Sequence, residues 1–388
     1  MTIVILAEKP SVANDIANVL GVKGKHETHW QGDGIVVTWA VGHLLQLKYM
    51  DDYDAAFKDW RKTVDRLPYV PETFEYKPIG GRGKKQLTAV SKLIKDKSVT
   101  EIVNACDAAR EGELIFRTIV QHTKSKARTS RMWLQSMTKD AITTAYEGRR
   151  DGTEYNALKD AAYARSEADW IIGMNGSRIA NSFLPRKRNE RAAISLGRVQ
   201  TATLAMVVDH ELEVLAHKPL PFWQLNADFK AGEASWNARW ERTNHVDNPD
   251  EPDYKPHRIV EQAEHDRLKA IVESGAKADV EETRRDAKEK PPLNFDLTSL
   301  QREANNLWSW SAKRTLGIAQ NLYADLKLTT YPRTDSRHLP TDMKEEISKI
   351  VRQLGAQDDY NDHSSTLISD GLQNTGRNFD DAKVSDHF

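Results

Sequence analysis

The chain reads as a multidomain protein: an α/β domain at the N-terminus, then a mostly helical remainder interrupted by one β-rich segment. Three observations predict it. Two short, wholly apolar runs, residues 2–7 and 101–105, each lead through acidic residues into a helical pattern, as strands of a parallel sheet do. Residues 222–241 alternate aromatic and polar positions, the period of a strand. Residues 160–185, 298–308 and 311–326 carry long helical periodicities. At 388 residues the chain exceeds one ordinary core, so several domains are expected.

In chain order, the strand 2–7 ends in Glu8-Lys9-Pro10-Ser11. Ser11 is a good N-cap residue for a helix over 12–20 that Gly21 closes. Residues 34–41 predict a second strand leading into Gly42-His43, where His43 reads as a structural histidine. Gly80-Gly81-Arg82-Gly83 lacks the Gly-Lys-Ser/Thr ending of a Walker loop. A helix follows to about Asp96. The strand 101–105 runs into Cys106-Asp107-Ala108-Ala109-Arg110-Glu111-Gly112-Glu113, and a helix is expected from Leu114 to His122. Acids thus gather at two strand ends, where open α/β sheets bind ligands. Asp107 and Glu111, four apart, have a spacing that can share a hard cation such as Mg²⁺.

Residues 131–133 predict a short strand, and Thr138 caps a helix to about Glu147. On the long helix 160–185, Arg165 and Asp169 lie on neighbouring turns. A basic cluster follows, with Arg186, Arg188 and Arg191. Ser195, Arg198, Gln200 and Thr201 then open a helix reaching about Leu215; small polar and cationic groups at a helix start suit phosphate. Beyond the β-rich stretch, 244–257 reads as a loop, 261–274 as a helix, 277–282 as a strand and 284–292 as a charged linker. Residues 342–355 predict one more helix, and the last thirty-three are polar with weak periodicity.

Composition excludes some classes. No apolar run approaches the ~20 residues that span a membrane, and no signal peptide pattern opens the chain. The single cysteine, Cys106, excludes an internal disulfide and points to a reducing, cytoplasmic compartment. The formal net charge is -1, so only the local basic cluster speaks for nucleic acid.

The segment Thr330-Tyr331-Pro332-Arg333-Thr334-Asp335-Ser336-Arg337 holds the most chemistry. Pro332 restricts Tyr331 to an extended conformation, which predicts a loop. Arg333 and Arg337 offer planar forks that fit phosphate. A tyrosine beside them can act as a nucleophile toward a phosphodiester.

Glu8 with Asp107-x-Ala109-x-Glu111 resembles a Toprim domain, with Ala109 where the pattern has a second aspartate. Together with Ala7 to Ser11, residues 164–178, Ser195-Leu-Gly-Arg-Val-Gln-Thr201 and Thr330 to Ser336, the whole chain resembles a type IA DNA topoisomerase of the topoisomerase III subtype. The resemblance implies a toroidal architecture in four parts: a Toprim-like domain over 1–152, the first part of a helical single-strand-DNA-binding domain over 153–216, the first part of a β-rich arch over 217–290, and a helical domain carrying the tyrosine over 291–388. It implies cutting and resealing of one DNA strand without ATP, through a 5′-phosphotyrosyl link at Tyr331, to relax negatively supercoiled DNA or decatenate. Arg333 then stabilises transition-state charge, Lys9 serves the leaving 3′ oxygen, Glu8 moves a proton or binds metal, and His387 matches a catalytic-site histidine. Glu8, Asp107 and Glu111 hold Mg²⁺. Arg165, Asp169, Ser195, Arg198, Gln200 and Thr201, with Arg186 and Arg188, line the single-strand groove. The implied partners are single-stranded and underwound duplex DNA, a RecQ-family helicase and a single-strand-binding protein, with a nucleoid-associated place in the cytoplasm. The returning halves of the helical and arch domains are expected to be missing, which leaves apolar surface exposed and the chain poorly stable in isolation. Two other readings are another Toprim enzyme, a primase or nuclease, and a non-catalytic single-strand DNA binder.

Overall fold

A computed structural model describes residues 1–135, 137–184, 193–248, 253–275, 279–326, 328–371 and 377–384. The described chain forms two compact units, residues 1–198 with 291–388, and residues 199–290.

The first unit is built on the strand β1 (Thr2–Ala7). Its side chains alternate between two faces, so Val4 and Leu6 enter one core and Ile5 and Ala7 another. The helix α1 (Pro10–Val19) starts with Pro10 in its first turn, where a missing N–H costs nothing, and Lys9 rather than Ser11 is its N-cap residue. A meander of β2 (Gly24–Lys25), β3 (His29–Gly32) and β4 (Ile35–Trp39) follows. Next come β5 (Leu45–Leu47), the single turn α2 (Met50–Tyr53), β6 (Tyr76–Pro78) and α3 (Arg82–Ile94). Then β7 (Val99–Ala105) leads to α4 (Arg110–Thr123), β8 (Arg128–Arg131), α5 (Lys139–Glu147) and β9 (Arg150–Asp151).

Seven strands form one sheet in the order β2-β3-β4-β1-β7-β8-β9. Its centre is parallel, with Ala7 opposite Trp39 on one side and Ala105 on the other. Leu87, Val90 and Ile94 of α3 and Ile115, Phe116 and Ile119 of α4 cover the Val4–Leu6 face. Ala13, Ile16 and Ala17 of α1 and Ile142 of α5 cover the opposite face. The result is a three-layer α/β/α sandwich in which the carboxyl ends of β1 and β7 emerge side by side.

The long helix α6 (Asn156–Phe183) docks through a third core of Leu47, Met50, Phe57 and Trp170. Trp170 Nε1 donates to Lys48 O at 2.8 Å, and Asn175 clasps the backbone of Tyr69 in both directions, at 2.7 and 3.0 Å. The next helix, α7 (Arg198–Ala216), begins as the chain passes from the first unit to the second.

In the second unit, β10 (Asn226–Ala231) and β11 (Ala234–Arg239) form an antiparallel hairpin. Gly232, at φ +62°, supplies its tight turn. Phe229 and Trp236 stack across it with centroids 5.8 Å apart. The helix α8 (Gln262–Glu273) follows. The strand expected at 277–282 is absent from its described part, 279–282, while 277 and 278 lie outside the described residues.

Returning to the first unit, Asp296 caps α9 (Leu297–Trp308) through Ser299 N at 2.6 Å, and Ser311 caps α10 (Ala312–Ala324). The loop with Tyr331 follows α10. It is pinned where Leu297 N donates to Thr334 O at 3.0 Å and where buried Ser336 donates to Lys383 O at 3.0 Å. A 3₁₀ turn, Thr341–Met343, precedes α11 (Lys344–Leu354). A further helix, α12 (Asn361–Asp370), lies in the tail whose periodicity is too weak to predict it.

Candidate active site

Because β1 and β7 are parallel neighbours in register, Glu8 and Lys9 leave the sheet beside Cys106 and Asp107. Lys9 Nζ lies 3.2 Å from Asp107 Oδ2 and 3.6 Å from Glu8 Oε1. Burial, and then the charge of Asp107, raises the Glu8 pKa above its ordinary value, with Lys9 opposing. Burial works against the Lys9 ammonium, yet Asp107 and Glu8 outweigh it, and its pKa stands above the ordinary lysine value. Gly112 closes the turn: a Cβ there would collide with the Asp107 backbone.

Tyr331 meets this cluster from the far end of the sequence. Lys9 Nζ sits 4.8 Å from its ring centroid, a cation–π contact, and Tyr323 packs edge-on against it at 5.4 Å. Arg333, two residues on, is exposed. Arg337 is not a free phosphate fork, because its Nε donates to Asn294 O at 2.8 Å and ties down the preceding linker. Two more bonds hold the tyrosine-bearing region against the sheet domain: Gln135 Nε2 to Val384 O at 3.2 Å and Thr138 Oγ1 to Asp342 Oδ2 at 3.0 Å.

A buried ionic network braces Asp107 from behind. Arg131, 1% exposed, donates through Nη2 to Asp107 O at 2.6 Å. Its Nη1 is 3.5 Å from Glu113 Oε2, which also accepts from Asn104 Nδ2 at 2.9 Å. Arg117 Nε reaches the other Glu113 oxygen at 2.7 Å. Sequence reading missed this set, because nothing local marks an arginine that tertiary packing buries.

Two carboxylates, Glu8 and Asp107, fit a hard divalent cation. Glu8 Oε2 is buried and has no hydrogen-bond partner, and Lys9 is the cation beside both acids. Glu111 is not gathered with them. α4 begins at Arg110, four residues before the expected start, so Glu111 sits in its first turn and Oε2 pairs with His43 Nε2 at 3.1 Å. Among the described residues no group of three His, Cys, Asp or Glu side chains is arranged for a metal ion. His43 thus takes Glu111 as its partner, which its sequence context alone did not indicate.

Along α6 a polar strip forms. Ser177 Oγ accepts from Leu196 N at 2.9 Å, and Asn181 bonds Ile194 N and O at 2.9 and 2.7 Å. Gly176 leaves room for the Leu196 side chain. This clasp brings Arg198 onto Asp169, with Nε–Oδ1 at 2.7 Å and Nη2–Oδ2 at 3.3 Å. The bidentate bond lowers the Asp169 pKa and raises that of Arg198. Arg165 and Ser195 are exposed. Gln200 and Thr201 belong to the second unit, and Arg186, Arg188 and His387 lie outside the described residues.

Residues 153–388 match a family model described as DNA topoisomerase, and residues 3–137 match the Toprim domain. DNA topoisomerase 3 of Bacillus subtilis (strain 168) is 36% identical over 99% of this chain and 50% of its own length. That of Shouchella clausii is 37% identical over 99% and 50%, and that of Staphylococcus haemolyticus 36% over 100% and 51%. The chain thus spans about half the length of the curated relatives it matches. The solved full-length topoisomerase I of Thermotoga maritima shares the fold, with a TM-score of 0.57 and 24% identity over 90% of this chain and 52% of that one.

Proposed function

The chain belongs to the DNA topoisomerase family, type IA, and from that premise we propose that it cuts and reseals one DNA strand with Tyr331 as the nucleophile. One observation carries the reading: Lys9 lies in contact with the Tyr331 ring and with Asp107 at once, so the tyrosine adjoins two acidic strand ends.

The chemistry follows from those neighbours. The Tyr331 oxygen attacks the phosphorus, an O–P bond forms, and the bond to the 3′ oxygen breaks. The tyrosine proton leaves to a carboxylate, and Glu8, its pKa raised, is suited to accept it. The departing 3′ oxygen takes a proton from Lys9. Arg333 steadies the charge that builds on the phosphoryl oxygens. Resealing reverses each step, and the phosphotyrosyl bond conserves the energy, so no ATP is consumed. A bound Mg²⁺ supplies Lewis-acid charge for positioning the 3′-hydroxyl and the phosphate. Glu8 and Asp107 would hold it, joined by Glu111 on release from His43.

Arg165, Asp169, Ser195 and Arg198 track the backbone of a single strand, with Gln200 and Thr201 following on α7. The four-part division at 152, 216 and 290 belongs to this proposal. The DNA acted on is single-stranded or underwound duplex, relaxed or decatenated. A RecQ-family helicase and a single-strand-binding protein, which expose such strands, are the partners that fit, at the nucleoid in the cytoplasm. Among the described residues no helix is long and apolar enough to cross a membrane.

Covalent trapping tests the proposal. A labelled single strand, quenched in detergent, should yield a protein–DNA adduct that Tyr331→Phe abolishes while binding stays within a few-fold. An adduct surviving in Tyr331→Phe would refute it. Binding without any adduct from the unaltered chain would favour a strand-binding role.

A further inference from the structure

Arg131, which holds the Asp107 carbonyl, also lines a cavity of about 420 Å³ with Trp133, Thr144, Gly148, Arg150 and Tyr155. Its two cations are only partly met by the protein. Arg131 and Arg150 stand directly opposite each other in the β8–β9 ladder, where like charges repel. Arg131 and Arg117 share one carboxylate, Glu113, and Arg131 is almost wholly buried. Its Nε and Nη1 make no hydrogen bond. Arg150 is exposed and has no ion pair among the described residues. Arg131, desolvated and sharing its one acid with Arg117, and Arg150, without an ion pair, leave cationic capacity that an anion between them would satisfy. The walls limit which anion: Trp133 and Tyr155 stack at 5.6 Å and 14°, the Arg131 guanidinium lies 5.2 Å from the Trp133 ring centroid, and half-buried Tyr155 is the aromatic surface left for a base or sugar.

We propose that this cavity binds the phosphate of a nucleotide, with Arg150 as its outer and Arg131 as its inner cation. Such a phosphate comes from a free mononucleotide or from the DNA strand held by the protein; the second source rests on the topoisomerase reading, the first does not. Because Arg131 also holds the Asp107 carbonyl, the bound phosphate is coupled to the acid site through one side chain.

Two variants test it without disturbing the buried network: Arg150→Gln removes the outer cation, and Thr144→Trp fills the cavity from the exposed side of α5. With the full chain, ³¹P line broadening of dTMP and inorganic phosphate reports free-nucleotide binding. Anisotropy of a labelled single-stranded oligonucleotide across salt concentrations reports strand binding. Broadening of dTMP that falls at least about fivefold in both variants, with unchanged oligonucleotide binding, identifies a mononucleotide site. A salt slope reduced by about 0.7 in Arg150→Gln identifies a strand phosphate. If neither quantity moves, or if dTMP binds both variants as well as the unaltered chain with the slope unchanged, the proposal is overturned. Trapping at Tyr331 in the same samples keeps the two readings apart, since an absent adduct leaves the dTMP result standing.

Discussion

Lys9 stands where a divalent cation would neutralise Glu8 and Asp107. The ammonium and the metal therefore compete for the same oxygens. Two like charges ~4 Å apart repel by about 1–4 kcal/mol between bulk water and a protein surface. Lys9→Gln is accordingly expected to tighten Mn²⁺ binding about tenfold without DNA, measured by electron paramagnetic resonance; unchanged affinity would show that lysine and metal occupy separate places. Arg333 is expected to act on rate rather than on folding, being exposed. Arg333→Ala should slow adduct formation by ~10²-fold or more, the scale of a lost transition-state charge partner, read in quenched time courses. Much of this neighbourhood is legible in the sequence, because Glu8, Lys9 and Asp107 follow apolar strands and their position is fixed by chain direction. The orientation of Glu111 toward His43 is not legible: spacing tells which turn a residue occupies, not which partner across the site it meets. Arg337 misleads for the same reason, its charge being consumed by backbone carbonyls.

At the level of elements, Glu101 joins β7 to β8 and to the turn after α5. Its Oε1 accepts from Ser130 at 2.6 Å, and Arg149 grips both oxygens at 3.1 Å. Burial alone would raise its pKa, but Arg149 and Ser130 outweigh it, and the value lies below the ordinary 4.5. A carboxylate so depressed contributes stability above pH 4.5, and that contribution is lost as pH falls through the folded-state value. Glu101→Gln should therefore cost about 1–3 kcal/mol at pH 7 in urea melts, and the difference should vanish in acid; a constant gap would contradict the linkage. The strands β1 and β7 follow from apolar runs too short for a buried helix, and the hairpin β10–β11 from alternation of period two. The short β2 and β3 owe their pairing to β4 and carry little signal of their own. Ser11 yields to Pro10 as the marker of the α1 start, since proline preorganises the first turn.

Across the whole molecule, α7 presents a large apolar surface to solvent. Leu204, Met206, Leu212 and Leu215 are each more than half exposed. A patch of this kind drives association. The chain should self-associate with rising concentration in light scattering, and Leu204→Lys with Leu215→Lys should suppress it; a monomer at all concentrations would contradict the expectation. The apolar residues of α7 are visible in the sequence, whereas their exposure emerges only from the fold. Glu8 and Asp107 belong to the sheet domain, while Tyr331 arrives on a loop that follows α10, and the two meet across a seam stitched by Gln135 with Val384 and Thr138 with Asp342. On the proposed function, this division of labour would act as an interlock: the acids and the tyrosine sit on separate stretches of chain, so a cut would require the seam between them to be closed.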